Sequence, residues 1–167
     1  LTLDSTRVAI RPSDGNVAGR AIRLAGESDE IDGSLPMNGW RVSLLEMAYR
    51  NADGVQRLID EAVAAPDVDY VSPVFRGETG GSVVVLPEIL IGFEHDVDEA
   101  SAAGALRAAQ AGEILARHWA GMRNVYRVRS SLRSGFDVLT AANRLAESDG
   151  VRFAEPNLFF TGRGTLI

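Results

Sequence analysis

The sequence predicts an α+β fold built on an antiparallel sheet, on three observations. Short β-branched and aromatic runs with two-residue alternation are interleaved with helical stripes bounded by capping residues and glycines. Two stretches, Val68-Asp69-Tyr70-Val71-Ser72-Pro73-Val74-Phe75 and Val151-Arg152-Phe153-Ala154-Glu155-Pro156-Asn157-Leu158, read as one motif written twice. Pro73 and Pro156 lie 83 residues apart, and the same offset sets Val42 on Val125 and Val55 on Val138. A fixed offset through strand, helix and strand marks a repeated supersecondary unit.

The second copy parses element by element. Val83 to Leu86 is a short β-branched run, and after Pro87 the residues Ile89, Ile91 and Phe93 share one face, as a half-buried strand requires. Asp98 is placed to cap a helix with Glu99 in its first turn, and Ala102, Ala105, Leu106 and Ala109 form its apolar stripe. Ala111-Gly112 ends that helix. Glu113 to Trp119 reads as a strand, Ala120 to Arg123 as a turn and Asn124 to Arg129 as the returning strand, where Tyr126 and Val128 alternate with Arg127 and Arg129. Asp137 is expected to cap a second helix with Val138, Ala142, Leu145 and Ala146 inside. Asp149-Gly150 stops it, and Val151 to Leu158 is the last strand. The order β-α-β-β-α-β is the ferredoxin-like arrangement, an antiparallel sheet with its helices on one face.

The first copy repeats only part of this. Val8 to Arg11 and Trp40 to Glu46 read as strands, and Arg20 to Ala25 as another. Asp53 is expected to cap a helix with Val55, Leu58, Ile59, Ala62 and Val63 on one face, stopped by Pro66. Val68 to Phe75 closes the unit. Between Pro12 and Gly39, five glycines or prolines (Gly15, Gly19, Gly26, Gly33, Pro36) argue against a regular first helix, so this copy is degenerate. The Gly-rich stretch Arg76 to Ser82 marks the boundary. The expected organisation is a degenerate repeat over 1–81, a ferredoxin-like domain over 82–160 and a tail or linker over 161–167.

Composition narrows the function classes. The chain has 167 residues, 46% of them hydrophobic, with a formal net charge of −6 and a mean hydropathy of −0.01. An acidic chain with scattered basic residues does not suit nucleic acid. Arg127, Arg129 and Arg133, the densest basic set, read as a solvated strand face and its loop. Cysteine is absent, so disulfides, thiolate nucleophiles and zinc–thiolate sites are excluded. No 18-residue apolar run spans a membrane. Leu1 opens the chain without a signal-peptide pattern or initiator Met, which suggests a trimmed fragment.

Catalytic chemistry is equally sparse. His95 and His118 lack a second His at metal-ligand spacing, and both read as structural or surface residues. Asp96-Val97-Asp98-Glu99 lacks the length and central Gly of a calcium loop, and helix capping explains it. No Gly-rich phosphate loop joins a strand to a helix, and no Ser sits in a Gly-x-Ser-x-Gly turn. Trp40 and Trp119 read as core or interface aromatics. The expectation is a non-enzymatic segment without metal or cofactor.

The end of the second copy resembles a known module. Phe153-Ala154-Glu155-Pro156-Asn157, preceded by Asn143-Arg144-Leu145-Ala146 and Asp149-Gly150-Val151, is similar to the end of the propeptides that fold and inhibit subtilisin-like serine proteases. The similarity covers residues 89 to about 163 well and the first half loosely. It implies a secreted or extracytoplasmic protease precursor, with the catalytic domain as partner in cis. In such propeptides the sheet packs on two surface helices of the protease, and acidic or amide side chains meet helix N-termini. Glu155 and Asn157 match those positions, and their spacing points them the same way. Because they share parity with Val151 and Phe153, the strand is expected to leave the sheet or bend near Pro156. The equivalents in the first copy are Ser72 and Val74, and Val74 cannot cap, so only the second copy is expected to dock. The resemblance further implies a cleft-binding tail of Phe160, Thr161, Gly162 and Arg163. Phe160 would fill an apolar pocket, and Arg163 would sit near the cleavage point unless the junction lies at Ile167 or beyond. The alternatives are a tandem ferredoxin-like regulatory module for a small ligand and a free-standing protease inhibitor.

Overall fold

The computed structural model describes residues 1–13, 24–28 and 39–161, which form an α+β fold of antiparallel strands with three α-helices among the described residues. The chain divides into two compact units. The first takes the chain up to Val85, the Arg133–Gly135 segment and the chain from Leu158. The second comprises Leu86–Leu132 and Phe136–Asn157.

In the first unit the strands are β1 (Thr2–Pro12), β2 (Leu24–Ser28), β3 (Arg41–Leu45), β4 (Val68–Arg76) and the opening residues of β5 (Ser82–Phe93), in the order β2-β3-β1-β4-β5. Helix α1 (Ala52–Ala64) buries Val55, Leu58, Ile59 and Ala62. Val8, Ile10, Val42, Leu45, Val71 and Val74 supply strand side chains to the core. Strand β1 begins earlier than its apolar pattern suggests. The polar run Asp4-Ser5-Thr6-Arg7 lies at a register shift between Leu3 and Val8, where Asp4 and Arg7 pair with each other in a buried setting. A polar run inside a strand is tolerated because its charges are paired and hydrogen-bonded. Asn51, not Asp53, caps α1: its side chain accepts from Gly54 N at 2.8 Å, while Asp53 sits in the first turn near the positive helix end. A Cβ on Gly54 would lie 1.8 Å from Tyr49 O, so the helix start needs glycine there. The Gly-rich stretch closes the β4–β5 hairpin, with Gly77 N bonded to Gly81 O and Arg76 opposite Ser82. Strand Arg20 to Ala25 falls largely outside the described residues.

The second unit contains the remainder of β5, α2 (Glu99–Ala108), β6 (Glu113–Arg117), β7 (Val125–Arg129), α3 (Gly135–Ala146) from Phe136 onward and β8 (Val151–Phe160) up to Asn157. Its strand order is β8-β5-β7-β6. The two short apolar runs on either side of Pro87 are one strand. β5 pairs with β4 through Val84 and with β7 from Glu88, so Pro87, which has no N–H to donate, falls between the two ladders. Asp98 caps α2 as its sequence suggests, accepting from Ser101 N at 2.7 Å. That bond and its neighbours hold the Asp98 carboxyl below the usual aspartate range.

Three local expectations are corrected. Of the α2 stripe only Ala102 and Leu106 are buried: Ala105 is exposed within the helix, and Ala109 falls beyond its end at Ala108. Asp137 lies inside the first turn of α3, which begins at Gly135. His118 and Trp119 are not in β6. His118 adopts φ +50 and Ala120 φ +53, so the backbone turns out of the strand there. His118 Nδ1 accepts from Asn124 N at 3.2 Å, which ties the two ends of this turn together.

Candidate functional site

The site takes shape from the alternation of the second-unit sheet. Ile89 stands opposite Val128 and Ile91 opposite Tyr126, and all four are buried. Ile89 lines the same cavity as Ala141 and Leu145 of α3, so this is the helix-covered face. Glu88, Leu90 and Gly92 therefore point to the other face, together with Arg127 and Arg129. Strand β8 joins that open face through two contacts. Phe153 lies so close over Gly92 that a Cβ there would meet the ring at 2.2 Å. Asn157 Nδ2 donates to Glu88 Oε2 at 2.8 Å.

Glu155 lies between Phe153 and Asn157 on the same face by alternation, and it is exposed. The expected bend near Pro156 is absent. β8 runs unbroken through Pro156, which fits a strand that pairs with β5 alone among the described residues. Phe153 misled the sequence argument: the inward residue of β8 is the buried Ala154, and Phe153 lies half-buried on the open face with Arg152 at 5.5 Å from its ring.

Electrostatics order this face. Arg127 grips Glu88 with both arms, Nε to Oε2 at 2.7 Å and an NH2 to Oε1 at 2.8 Å. The Arg127 bonds first, and the Asn157 amide after them, outweigh burial and hold the Glu88 carboxyl below the usual glutamate range. Arg129 pairs with Glu113 at 3.0 Å in an exposed setting. Glu155 has no side-chain partner among the described residues. A carboxylate acceptor fixes the Asn157 amide with its NH2 towards Glu88, leaving Oδ1 as an acceptor for another group. The face thus presents an exposed carboxylate and an oriented amide oxygen beside a half-buried aromatic ring.

The other residues singled out from the sequence lie elsewhere. Phe160 is 60% exposed at the end of β8. Thr161 is bonded to Ser82: its N–H donates to Ser82 O at 3.0 Å and its Oγ1 accepts from Ser82 N at 2.8 Å. Gly162 and Arg163 lie outside the described residues. Ser72 and Val74 are fully buried, and the Ser72 hydroxyl is committed to Pro73 O and Val85 N. Arg133 leaves the proposed solvated set, donating to Ala65 O and Val68 O just beyond α1, where a cation complements the negative helix end. Glu88 was missed by sequence reasoning. Its position after Pro87 on the wet face was readable, but its diagonal partner Arg127 and the reach of Asn157 depend on strand register.

A second concavity of about 410 Å³ opens beside α3 in this unit, with Ile89, Ala111 and Leu145 at its apolar floor and Ser130, Asp137 and Arg144 around it. Among the described residues no three His, Asp or Glu side chains gather as metal ligands, and no helix is long and apolar enough to cross a membrane. Protein-family models, curated proteins and solved structures yield no match to this chain.

Proposed function

We propose that the chain is the propeptide region of a secreted subtilisin-like serine protease precursor. It assists folding of the catalytic domain and inhibits it in cis, itself carrying no catalytic residue, metal or cofactor. The observation that carries the reading is the open sheet face of the second unit, where Glu155, without a side-chain partner among the described residues, and the oriented Asn157 oxygen lie two residues apart on one strand. Helix N-termini offer unpartnered N–H groups and a positive dipole end, and both side chains are acceptors suited to them. Among the described residues Glu155 has no ion pair for docking to break.

The strand order β8-β5-β7-β6, with α2 and α3 in the crossovers, supports a ferredoxin-like second unit. The order β4-β1-β3-β2 in the first unit supports a repeat of it. The segments where the first unit's opening helix would lie are outside the described residues. Burial of Ser72 and Val74 supports docking by the second unit alone.

The test is binding to a subtilisin-like catalytic domain whose nucleophilic serine is replaced by alanine, followed by carboxyl labelling of the complex. Glu155 should lose reactivity on binding while Glu78 and Asp60 keep theirs. Equal labelling of Glu155 in the free and bound chain would remove the proposed docking mode. A second reading, a regulatory module for a small ligand, rests on the concavity beside α3 and its Arg144 guanidinium, which has no side-chain partner among the described residues. Calorimetric titration with small carboxylates, with Arg144→Ala as control, separates the two.

A further inference from the structure

The first unit contains a buried charged cluster that nothing in the docking face uses. Asp4 and Arg7 are 7% and 8% exposed. Asp4 Oδ2 accepts from Arg7 Nε at 3.0 Å and from Arg76 Nε at 3.1 Å, while Asp4 Oδ1 accepts from Thr6 N at 3.0 Å and Thr6 Oγ1 at 2.6 Å. Each carboxylate oxygen of Asp4 thus accepts two hydrogen bonds. Arg7 then extends an NH2 to Ser82 Oγ at 2.6 Å. Ser82 in turn holds Thr161 through its backbone N–H and carbonyl. The chain of contacts Asp4–Arg7–Ser82–Thr161 therefore runs from the first strand of the protein to the residue that follows β8.

A buried ion pair adds little stability over apolar residues of the same shape, because desolvation offsets most of the attraction. What it does supply is direction. Arg7 is fixed by Asp4, Ser82 is fixed by Arg7, and the hydroxyl of Thr161 closes on Ser82 in one register only. A one-residue slip of the end of β8 would replace Thr161 by Phe160, which has no hydroxyl to accept from Ser82 N. We propose that the first unit sets the exit register of the C-terminal tail, with Asp4, Arg7 and Ser82 as positioning residues and Thr161 as the anchored group. This rests on the propeptide reading for its consequence, since an inhibitory tail must leave its anchor at a defined residue to enter a cleft as an added strand. It gives the first unit a role in inhibition that does not require it to touch the protease.

The test uses the whole 167-residue chain and two readouts. Amide hydrogen exchange at Ser82 and Thr161 reports the anchor without any protease. Thr161→Val should speed exchange at Ser82 by about five- to tenfold, the effect of one lost hydrogen bond on local opening, and Thr161→Ser should restore the wild-type rate. Ser82→Ala, which removes only the hydroxyl that Arg7 holds, should speed exchange at Thr161 and leave Ile89 and Ile91 unchanged. Arg7→Met should act in the same sense. If that variant fails to fold, Ser82→Ala decides. Inhibition of a subtilisin-like protease is the second readout: these variants should inhibit more weakly by a similar factor, while labelling of Glu155 in the complex stays at the wild-type level. Unchanged exchange at Thr161 in folded Ser82→Ala overturns the anchor, even where wild type inhibits. A wild-type chain that does not inhibit, with the exchange differences intact, overturns the protease reading and leaves the anchor standing.

Discussion

Replacing Glu88 by Gln removes the charge at the centre of the open sheet face and leaves the shape nearly unchanged. The Glu88 side chain is 16% exposed and Arg127 38% exposed, joined by bonds of 2.7 and 2.8 Å, with Asn157 adding a third at 2.8 Å. Hydrogen bonds to charged groups contribute about 1.5–3 kcal/mol where both partners are dry. The exposure of Arg127 screens part of this, so the expected loss is about 1–2 kcal/mol at neutral pH. The sign with pH follows from linkage. Glu88 is held below its ordinary value of 4.5, so its contribution is full above that value and disappears as the pH falls through its lower folded value. The gap between wild type and Glu88→Gln should therefore be widest near pH 7 and close in acid as wild-type Glu88 takes up its proton. Urea denaturation at a series of pH values measures this directly. Glu113→Gln, from the solvated pair with Arg129, is the control and should show no gap. Equal stabilities of Glu88→Gln and Glu113→Gln at neutral pH would refute the reasoning, as would a gap that persists undiminished at the acid end.

Other substitutions test separate parts of the fold. Gly112 has φ +92, and a Cβ there would meet Arg129 O at 1.9 Å. Gly112→Ala should therefore lower stability by about 2–4 kcal/mol, more than the left-handed conformation alone would cost, read from the urea midpoint. Asn51→Ala should cost about 1 kcal/mol through loss of the α1 cap, and Asp53→Ala about half that or less; thermal unfolding of the two variants gives the order. Val138→Ala, at a fully buried position of α3, should cost about 2–3 kcal/mol from lost burial and the cavity left behind. Calorimetric unfolding of that variant should show the loss.

Much of the second unit was readable because its residues obey one period at a time. Tyr126 and Val128 alternate with Arg127 and Arg129, Asp98 precedes a helix it does cap, and Ile89, Ile91 and Phe93 all turn out buried. The first unit was harder because it mixes signals. The first strand was read from Val8, and only the mutual pairing of Asp4 and Arg7 lets the polar run before it lie inside β1. Asn51 and Asp53 both suit a cap. The choice falls on Asn51 because its Oδ1 reaches Gly54 N at 2.8 Å. The turn around Gly121 was legible, but it opens at His118, a left-handed residue without glycine's freedom, so its start was placed two residues too late. At the open sheet face proposed for docking, the spacing of Glu155 and Asn157 was legible, but the face they share was misjudged. An aromatic residue normally points to the core, and Phe153 instead lies over Gly92 on the open side. The partner of Asn157 depends on how β8 registers against β5, which no local pattern encodes.

The most direct measurement is steady-state inhibition of a purified subtilisin-like protease by the 167-residue chain, wild type beside a Glu155→Ala, Asn157→Ala double variant. The account predicts tight inhibition by wild type and a loss of about 1 kcal/mol or more of binding per removed acceptor, an overall weakening of about thirtyfold. A folded wild-type chain that leaves the protease uninhibited, or a double variant that inhibits as well as wild type, would contradict it.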